Sequence, residues 1–185
     1  LVSTVLPGDS RRAIIPEFEK HSGKKAGRDF GYAYSPSLIA IGDIFNNLEN
    51  PDFVFLGAFD EKSRSILHEV YEIMYGKERP IHNSSIESAE LAKISLNSYI
   101  TMKITFANIL AELCENIPFA HVDEVTDMLG KDKRIGSRYL RSGLGYGGPC
   151  FPRDNRALAA MAKTYGVEMP HAEITDNLNN RIWKN

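Results

Sequence analysis

Cysteine, tryptophan and long apolar runs are scarce in this chain of 185 residues, which has two cysteines and one tryptophan. Cys114 and Cys150 are too few for a disulfide framework and suit a reducing compartment. Neither has a partner at finger or ribbon spacing, which excludes structural zinc sites of those kinds. No apolar stretch reaches membrane-spanning length and no signal-peptide layout is present. No membrane partner is therefore expected, and the expected compartment is the cytoplasm. An excess of charge of one sign is missing too: the net charge is -2, and no basic cluster interleaves with aromatics, so no nucleic-acid partner is expected. The histidines are scattered, and neither a repeat nor a low-complexity tract is found. What remains is the composition of an ordinary globular protein, long enough for one large domain or two small ones.

The first part alternates strand and helix signals. Leu1–Leu6 reads as a strand, Pro7–Ser10 as a turn with a helix cap, and Arg11–Ser22 as a helix. Asp29–Tyr34 and Pro51–Gly57 read as further strands, Asp60–Tyr75 as an amphipathic helix, and Ile81–Asn83 as a last short strand. This interleaving predicts an α/β layer arrangement over residues 1–83. From Ser84 onward, over residues 84–185, the pattern is nearly all helical. Ala89, Ala92, Leu96, Tyr99, Met102, Phe106, Ile109 and Leu113 recur at three- and four-residue spacing and predict a buried stripe on one helix running to Glu115. At 1.5 Å per residue its length is roughly 45 Å, which suits spanning a core or pairing with a second chain. Shorter helices are expected at Val122–Leu129, Arg153–Tyr165 and Glu173–Trp183. The chain opens in a strand-like run and closes in a helix-like one, which reads as a piece of a longer protein.

The richest stretch is Gly143-Leu-Gly-Tyr-Gly-Gly-Pro-Cys-Phe-Pro-Arg-Asp154, a single cysteine between a glycine-rich loop and a helix. Glycines let a backbone approach a ligand closely, and Pro152 suits the start of a helix. Cys150 then lies at a helix N-terminus, where the dipole favours the nucleophilic thiolate. A nucleophile and a structural thiol in a tight turn are both open from the residues alone. Gly143–Gly148 also matches the G-x-G-x-x-G dinucleotide pattern, with Glu168 near the spacing of the ribose-binding acid. That pattern requires a strand leading into the first glycine, and Gly136–Ser142 does not read as one.

Other residues are candidates by position. Lys93 and Asn97 are one turn apart on the long helix, and together an ammonium and an amide can stabilise charge developing on an oxygen. A solvated lysine and a surface asparagine are the plain alternative. Asp154 falls in the first helical turn after Cys150, either as a carboxylate favoured by the dipole or as a group working beside the thiol. Thr4, Pro7 and Gly8 lie where an open α/β sheet binds ligands. Arg134, Arg138 and Arg141 precede the glycine loop and suit phosphate binding or plain surface charge. Cys114, beside Leu113, reads as packing.

Three blocks taken together, Ser3-Thr-Val-Leu-Pro-Gly8, Ala89-Glu-Leu-Ala-Lys-Ile-Ser-Leu-Asn97 and Gly143–Asp154, resemble the UDP-glucose/GDP-mannose dehydrogenase family over nearly the whole chain. The resemblance implies the C-terminal part of a Rossmann-like NAD-binding domain followed by an all-helical central domain. It implies NAD-dependent oxidation of C6 of a nucleotide-linked hexose from alcohol to carboxylate. In that chemistry Cys150 captures the aldehyde as a thiohemiacetal that passes to a thioester and is hydrolysed. Lys93 and Asn97 match the pair on the reacting oxygen, and Asp154 the carboxylate near the thiol and the water. Thr4 matches a contact to water or cofactor. Arg153 stands where the family usually has Lys, keeping charge near the cofactor. Arg134, the segment from Tyr139 to Gly143, and Gly147 match positions around the sugar and diphosphate. The long helix resembles the family's dimerisation element, so a homodimer is implied.

One segment departs from the family. It commonly reads Pro-Glu-Phe-Leu-Arg-Glu where this chain has Pro36-Ser-Leu-Ile-Ala-Ile41. Ser37 and Ile41 replace two acids that, by the resemblance, serve the hydrolytic water and the sugar or cofactor contacts. A changed sugar is one implication. A paralogue that binds nucleotide sugar as a scaffold without turnover is the other.

Overall fold

Val54–Ala58 (β2), built from apolar residues that favour a half-buried pleated surface, is the central strand of a three-stranded sheet in this computed structural model, which describes residues 1–40 and 42–183. Ala33–Tyr34 (β1) pairs antiparallel on one side of it, with Ala33 opposite Ala58. Ile81–Ser84 (β3) pairs parallel on the other, with Val54 opposite Ile81 and Gly57 opposite Ser84. Between β2 and β3 runs Glu61–Tyr75 (α3), whose first turn is capped by the Asp60 carboxylate accepting from the Ser63 N–H at 2.7 Å. Earlier, one wider π-type turn at Ser10–Ile14 passes into Ile15–Ser22 (α1). Ile44–Glu49 (α2) is a short helix that the sequence pattern does not announce, because its two asparagines are poor helix formers and six residues show no period.

Leu1–Leu6 departs from the expected strand. Leu1 pairs beside β1, its N-terminal ammonium donating to the Ala33 carbonyl at 2.8 Å and its carbonyl accepting from the Ser35 N–H at 2.9 Å. The backbone then leaves that edge, so Thr4 sits on a half-buried connection and not at a strand end. Asp29–Tyr34 likewise contributes only its last two residues to the sheet. An isolated bridge between Ala26 and Phe30 closes the turn before them, taking those residues out of the ladder.

By compactness the chain divides into two units, Leu1–Lys93 and Ile94–Asn185, and the division falls inside the long helix Ile86–Cys114 (α4). In the first unit Ile15, Tyr32, Tyr34, Ile86 and Ala89 form a buried cluster, flanked by Val5, Phe30, Phe55 and Phe59. β2 passes very near the start of α4 here: a Cβ on Gly57 would lie 2.7 Å from the Ile86 Cα, so only glycine permits the approach. Glu90, fully buried, accepts from the backbone N–H groups of Gly8 at 2.6 Å and Ser10 at 3.1 Å and holds the Pro7–Ser10 turn against α4.

The second unit continues α4 and adds Val122–Lys131 (α5), Phe151–Thr164 (α6) and Pro170–Ile182 (α7). Leu158, Ala159 and Ala162 of α6 and Ala172 of α7 are buried, and the three alanines are small enough to let these two helices pack closely. The class is therefore a Rossmann-like α/β part followed by an all-helical part with one long helix.

The stripe on α4 corrects the sequence reading. Ala89 is buried, but Tyr99 is 56% exposed, Phe106 50% and Leu113 53%. The residues of α4 that the second unit buries are mostly polar, Ser98, Thr101, Thr105 and Asn108, with Ile94 and Ala107 among them. Two of these groups meet partners on the packed segments: the Thr101 hydroxyl accepts from Asn155 Nδ2 at 2.9 Å and Asn108 Oδ1 accepts from the Gly143 N–H at 2.8 Å, while the Ser98 and Thr105 hydroxyls and Asn108 Nδ2 are buried without a hydrogen-bond partner among the described residues.

Candidate functional site

The second unit gathers its site around the first turn of α6. Cys150 occupies the N-cap position, exposed and with a free thiol, and its carbonyl accepts the first helical bond from the Asp154 N–H at 2.8 Å. Phe151 and Pro152 open the helix; the missing N–H of Pro152 falls among the four that have no helical acceptor. The dipole of a fourteen-residue helix thus points its positive end at the sulfur.

Asp154 is buried to 1% exposure and both of its carboxylate oxygens are engaged. Oδ2 accepts from Asn97 Nδ2 at 2.7 Å and Oδ1 from Arg153 Nε at 2.8 Å. The bond to Asp154 holds the Arg153 guanidinium more firmly protonated, and a weaker attraction to the Cys150 side chain adds to it. Asn97 and Arg153 are thus both bonded to Asp154 in the helical turn that follows Cys150. An amide carries two N–H donors and one acceptor oxygen, so Asn97 keeps one N–H and its oxygen beyond the bond to Asp154.

The glycine loop is held at defined points. The Gly143 N–H donates to Asn108 Oδ1 at 2.8 Å. Tyr146, buried, donates its backbone N–H to Asn179 Oδ1 of α7 and accepts at its carbonyl from Asn179 Nδ2, and its hydroxyl meets Asn155 Nδ2 at 3.0 Å and Asp176 Oδ1 at 3.3 Å. Burial, with the nearby Asp176 charge second, raises the Tyr146 phenol above its ordinary 10.0. No strand enters Gly143: the preceding residues are turns and loop. This overturns the dinucleotide-fingerprint reading of Gly143–Gly148, because the phosphate cradle of that motif needs a strand to aim the glycines at the helix end.

The remaining candidates are placed as follows. Lys93 is buried at 9% exposure and is the last residue of the first unit, one turn before Asn97 on α4. Thr4 also belongs to the first unit and is half-buried. Arg134 is exposed and engaged by Asp132 at 2.6 Å, which holds that carboxyl below its usual range. The carbonyls of the next two residues, Ile135 and Gly136, accept from Lys103 Nζ of α4 at 3.1 and 2.9 Å. Tyr139 is 43% exposed with φ 63, a left-handed backbone that an aromatic residue rarely adopts. A Cβ on Gly147 would meet nothing within 4 Å, so the loop is open on that side. Ser37 is half-buried on a connection of the first unit, and Ile41 lies outside the described residues. Cys114 is half-buried at the end of α4. Among the described residues no group of three or more His, Cys, Asp or Glu is arranged to hold a metal, and no helix is long and apolar enough to cross a membrane.

Sequence reasoning missed Asn108, Tyr146, Asn155, Asp176 and Asn179. The one available signal was the polar series Thr101, Thr105, Asn108, which keeps helical spacing on a face that solvent-exposed residues would not need to share.

The family model for the UDP-glucose/GDP-mannose dehydrogenase family, central domain, matches residues 87–181. The chain belongs to this family. A GDP-mannose 6-dehydrogenase of Pseudomonas savastanoi pv. phaseolicola is 36% identical over 172 residues, 91% of this chain and 38% of that protein. A UDP-glucose 6-dehydrogenase of Haloferax volcanii is 34% identical over 168 residues, 90% of this chain and 39% of that one. Among solved structures, a UDP-glucose dehydrogenase from the archaeon Pyrobaculum islandicum superposes with a TM-score of 0.83 at 31% identity, over 97% of this chain and 40% of its own. As a member of the UDP-glucose/GDP-mannose dehydrogenase family, the chain thus spans about two fifths of the length of the relatives it matches.

Proposed function

We propose that this chain forms the later cofactor-side and central catalytic parts of an NAD-dependent nucleotide-sugar 6-dehydrogenase. The observation that carries the reading is the Asn97–Asp154–Arg153 chain of hydrogen bonds lying at the helix N-terminus that bears Cys150. The names of the relatives, GDP-mannose and UDP-glucose 6-dehydrogenases, support a nucleotide sugar as the substrate.

Each residue has a task in this chemistry. The Cys150 sulfur adds to the C6 aldehyde and forms the thiohemiacetal; after the second oxidation the carbon is a thioester, which water cleaves to the carboxylate and the free thiol. NAD, when bound, supplies the hydride acceptor for both oxidations. Asn97, through its remaining N–H, and the Lys93 ammonium hold the oxygen on which negative charge develops. Asp154, fixed by two donors, orients polar groups beside the sulfur and the attacking water. Arg153 and Thr4 are the residues of this chain that would hold NAD. Their chemistry fits it: a hydroxyl, and a guanidinium whose side chain is 52% exposed beyond its bond to Asp154 and can take a phosphate oxygen. Arg134, Tyr139, Gly143 and Gly147 are read as the nucleotide-sugar side of the site.

A homodimer through α4 belongs to the same reading. Tyr99, Met102, Phe106, Ile109 and Leu113 follow one another by three and four residues, the apolar repeat with which paired helices interlock. Tyr99, Phe106 and Leu113 are half-exposed in a single copy.

The test is NADH formation by the full-length protein with NAD and a panel of nucleotide sugars, repeated with Cys150→Ser. Two NADH per sugar, lost in the variant, supports the four-electron reaction. A single burst with a trapped thioester places the fault at hydrolysis, where Ser37 and Ile41 replace the family's acids. Nucleotide-sugar binding with no NADH for any sugar overturns the enzyme reading.

A further inference from the structure

We propose that Asn179 is a positioning residue for Cys150 and acts through Tyr146. This rests on reading Cys150 as the nucleophile, and it concerns residues outside the site as described above.

Between Tyr146 and Cys150 the chain reads Gly147-Gly148-Pro149. A Cβ on either glycine would meet nothing within 4 Å, and Gly148 has φ 76. Proline has no N–H to tie down. The backbone leading to the sulfur is therefore fixed mainly by its two ends. One end is the first turn of α6; the other is Tyr146.

Tyr146 is immobilised from three directions. Asn179 Oδ1 accepts from its backbone N–H at 2.7 Å and Asn179 Nδ2 donates to its carbonyl at 2.8 Å. One buried amide thus satisfies both main-chain polar groups of one residue, as a neighbouring strand would. Its ring meets Phe151 edge-to-face at 6.0 Å, and Phe151 directly follows Cys150. Its hydroxyl is shared between Asn155 of α6 and Asp176 of α7. The close approach of α7 depends on Gly145, where a Cβ would lie 2.7 Å from Asn179 Oδ1 and 2.8 Å from Trp183 Nε1. A loop needing only to be covered would not require a two-point bond to its main chain. A loop carrying a nucleophile does, since misplacing a reacting atom by ~1 Å costs on the order of a hundredfold in rate.

The experiment uses Asn179→Ala and Asn179→Asp in the full-length protein. The aspartate keeps the size and the acceptor but loses the donor to the Tyr146 carbonyl, and it stands in if the alanine variant does not fold. Two readouts need no substrate. One is alkylation of Cys150 by iodoacetamide relative to Cys114 in the same molecules, read by mass spectrometry; the other is amide exchange of the Tyr146 N–H. Loss of the buried bonds should speed that exchange by on the order of tenfold or more and change the Cys150-to-Cys114 ratio severalfold. With substrate, kcat per folded molecule should fall by on the order of a hundredfold, while KM changes far less. An unchanged alkylation ratio with kcat within about twofold of the parent overturns the proposal and leaves Asn179 a packing residue. Should the parent make no NADH from any sugar while the alkylation ratio still responds, the dehydrogenase reading fails and the positioning role stands.

Discussion

Asn97 Nδ2 donates to Asp154 Oδ2 at 2.7 Å, tying the middle of α4 to the first turn of α6 across 57 residues of sequence. The carboxylate it reaches is buried. Asp154→Asn should therefore cost about 1–3 kcal/mol, since a second amide turns an N–H toward a donor it cannot bond. Urea unfolding should show a lower midpoint at unchanged slope. Asn97→Asp should destabilise in the same direction, by setting two carboxylates face to face. A midpoint unchanged in both variants would mean that the bond contributes nothing net.

Gly145 gives a second, steric prediction. A methyl group there would sit inside contact distance of both Asn179 Oδ1 and Trp183 Nε1. Gly145→Ala should cost about 1–3 kcal/mol by forcing α7 away from the loop. Gly147→Ala is the control: its added Cβ meets nothing within 4 Å, so the same thermal melt should move little.

These cases show how much of the site the chain discloses before folding. Cys150, its helix cap and the place of Asp154 in the first turn could be read locally, because a glycine loop, Pro152 and an acid at fixed offsets obey short-range rules. The extent of α4 was legible from its three- and four-residue spacing. Its orientation was not, because the pattern records which residues are apolar and not which face the second unit buries. The partnership of Asn179 with Tyr146 was beyond local reasoning, joining two backbone groups to an amide 33 residues away. Leu1–Leu6 misled for the opposite reason: its β propensity is real, but only Leu1 meets the edge of the sheet.

Tyr146 allows a prediction in pH. Burial first, then the Asp176 charge, raises its phenol above the ordinary 10.0, so the folded state keeps the proton longer than the unfolded chain does. Stability from this source is full below about pH 10 and is lost as pH rises from there toward the folded value. The loss is at most about 1.4 kcal/mol per pH unit. Tyr146→Phe removes that titration along with two hydrogen bonds. It should be the less stable protein at pH 8, and its unfolding free energy should fall less steeply above pH 10. Urea titrations of both proteins from pH 8 to 11 check this, and parallel curves would show that the phenol does not contribute to the alkaline loss.

The outward stripe of α4 gives the last prediction. Phe106, 50% exposed, is the central member of the series from Tyr99 to Leu113. If that series is the seam between two copies, Phe106→Arg places a charge in the middle of an apolar contact on both sides of a twofold axis, where each charge also meets its own image. The variant should sediment as a monomer at concentrations where the parent is a dimer. Its helical circular dichroism should remain, because Phe106 makes no part of the buried polar face formed by Ser98, Thr101, Thr105 and Asn108. A charge on α3, such as Ile73→Arg, serves as the control, since Ile73 is 78% exposed and does not belong to the stripe. Equal sedimentation of all three proteins as monomers would exclude α4 as a pairing helix. A dimer that survives Phe106→Arg would move the interface elsewhere on the chain.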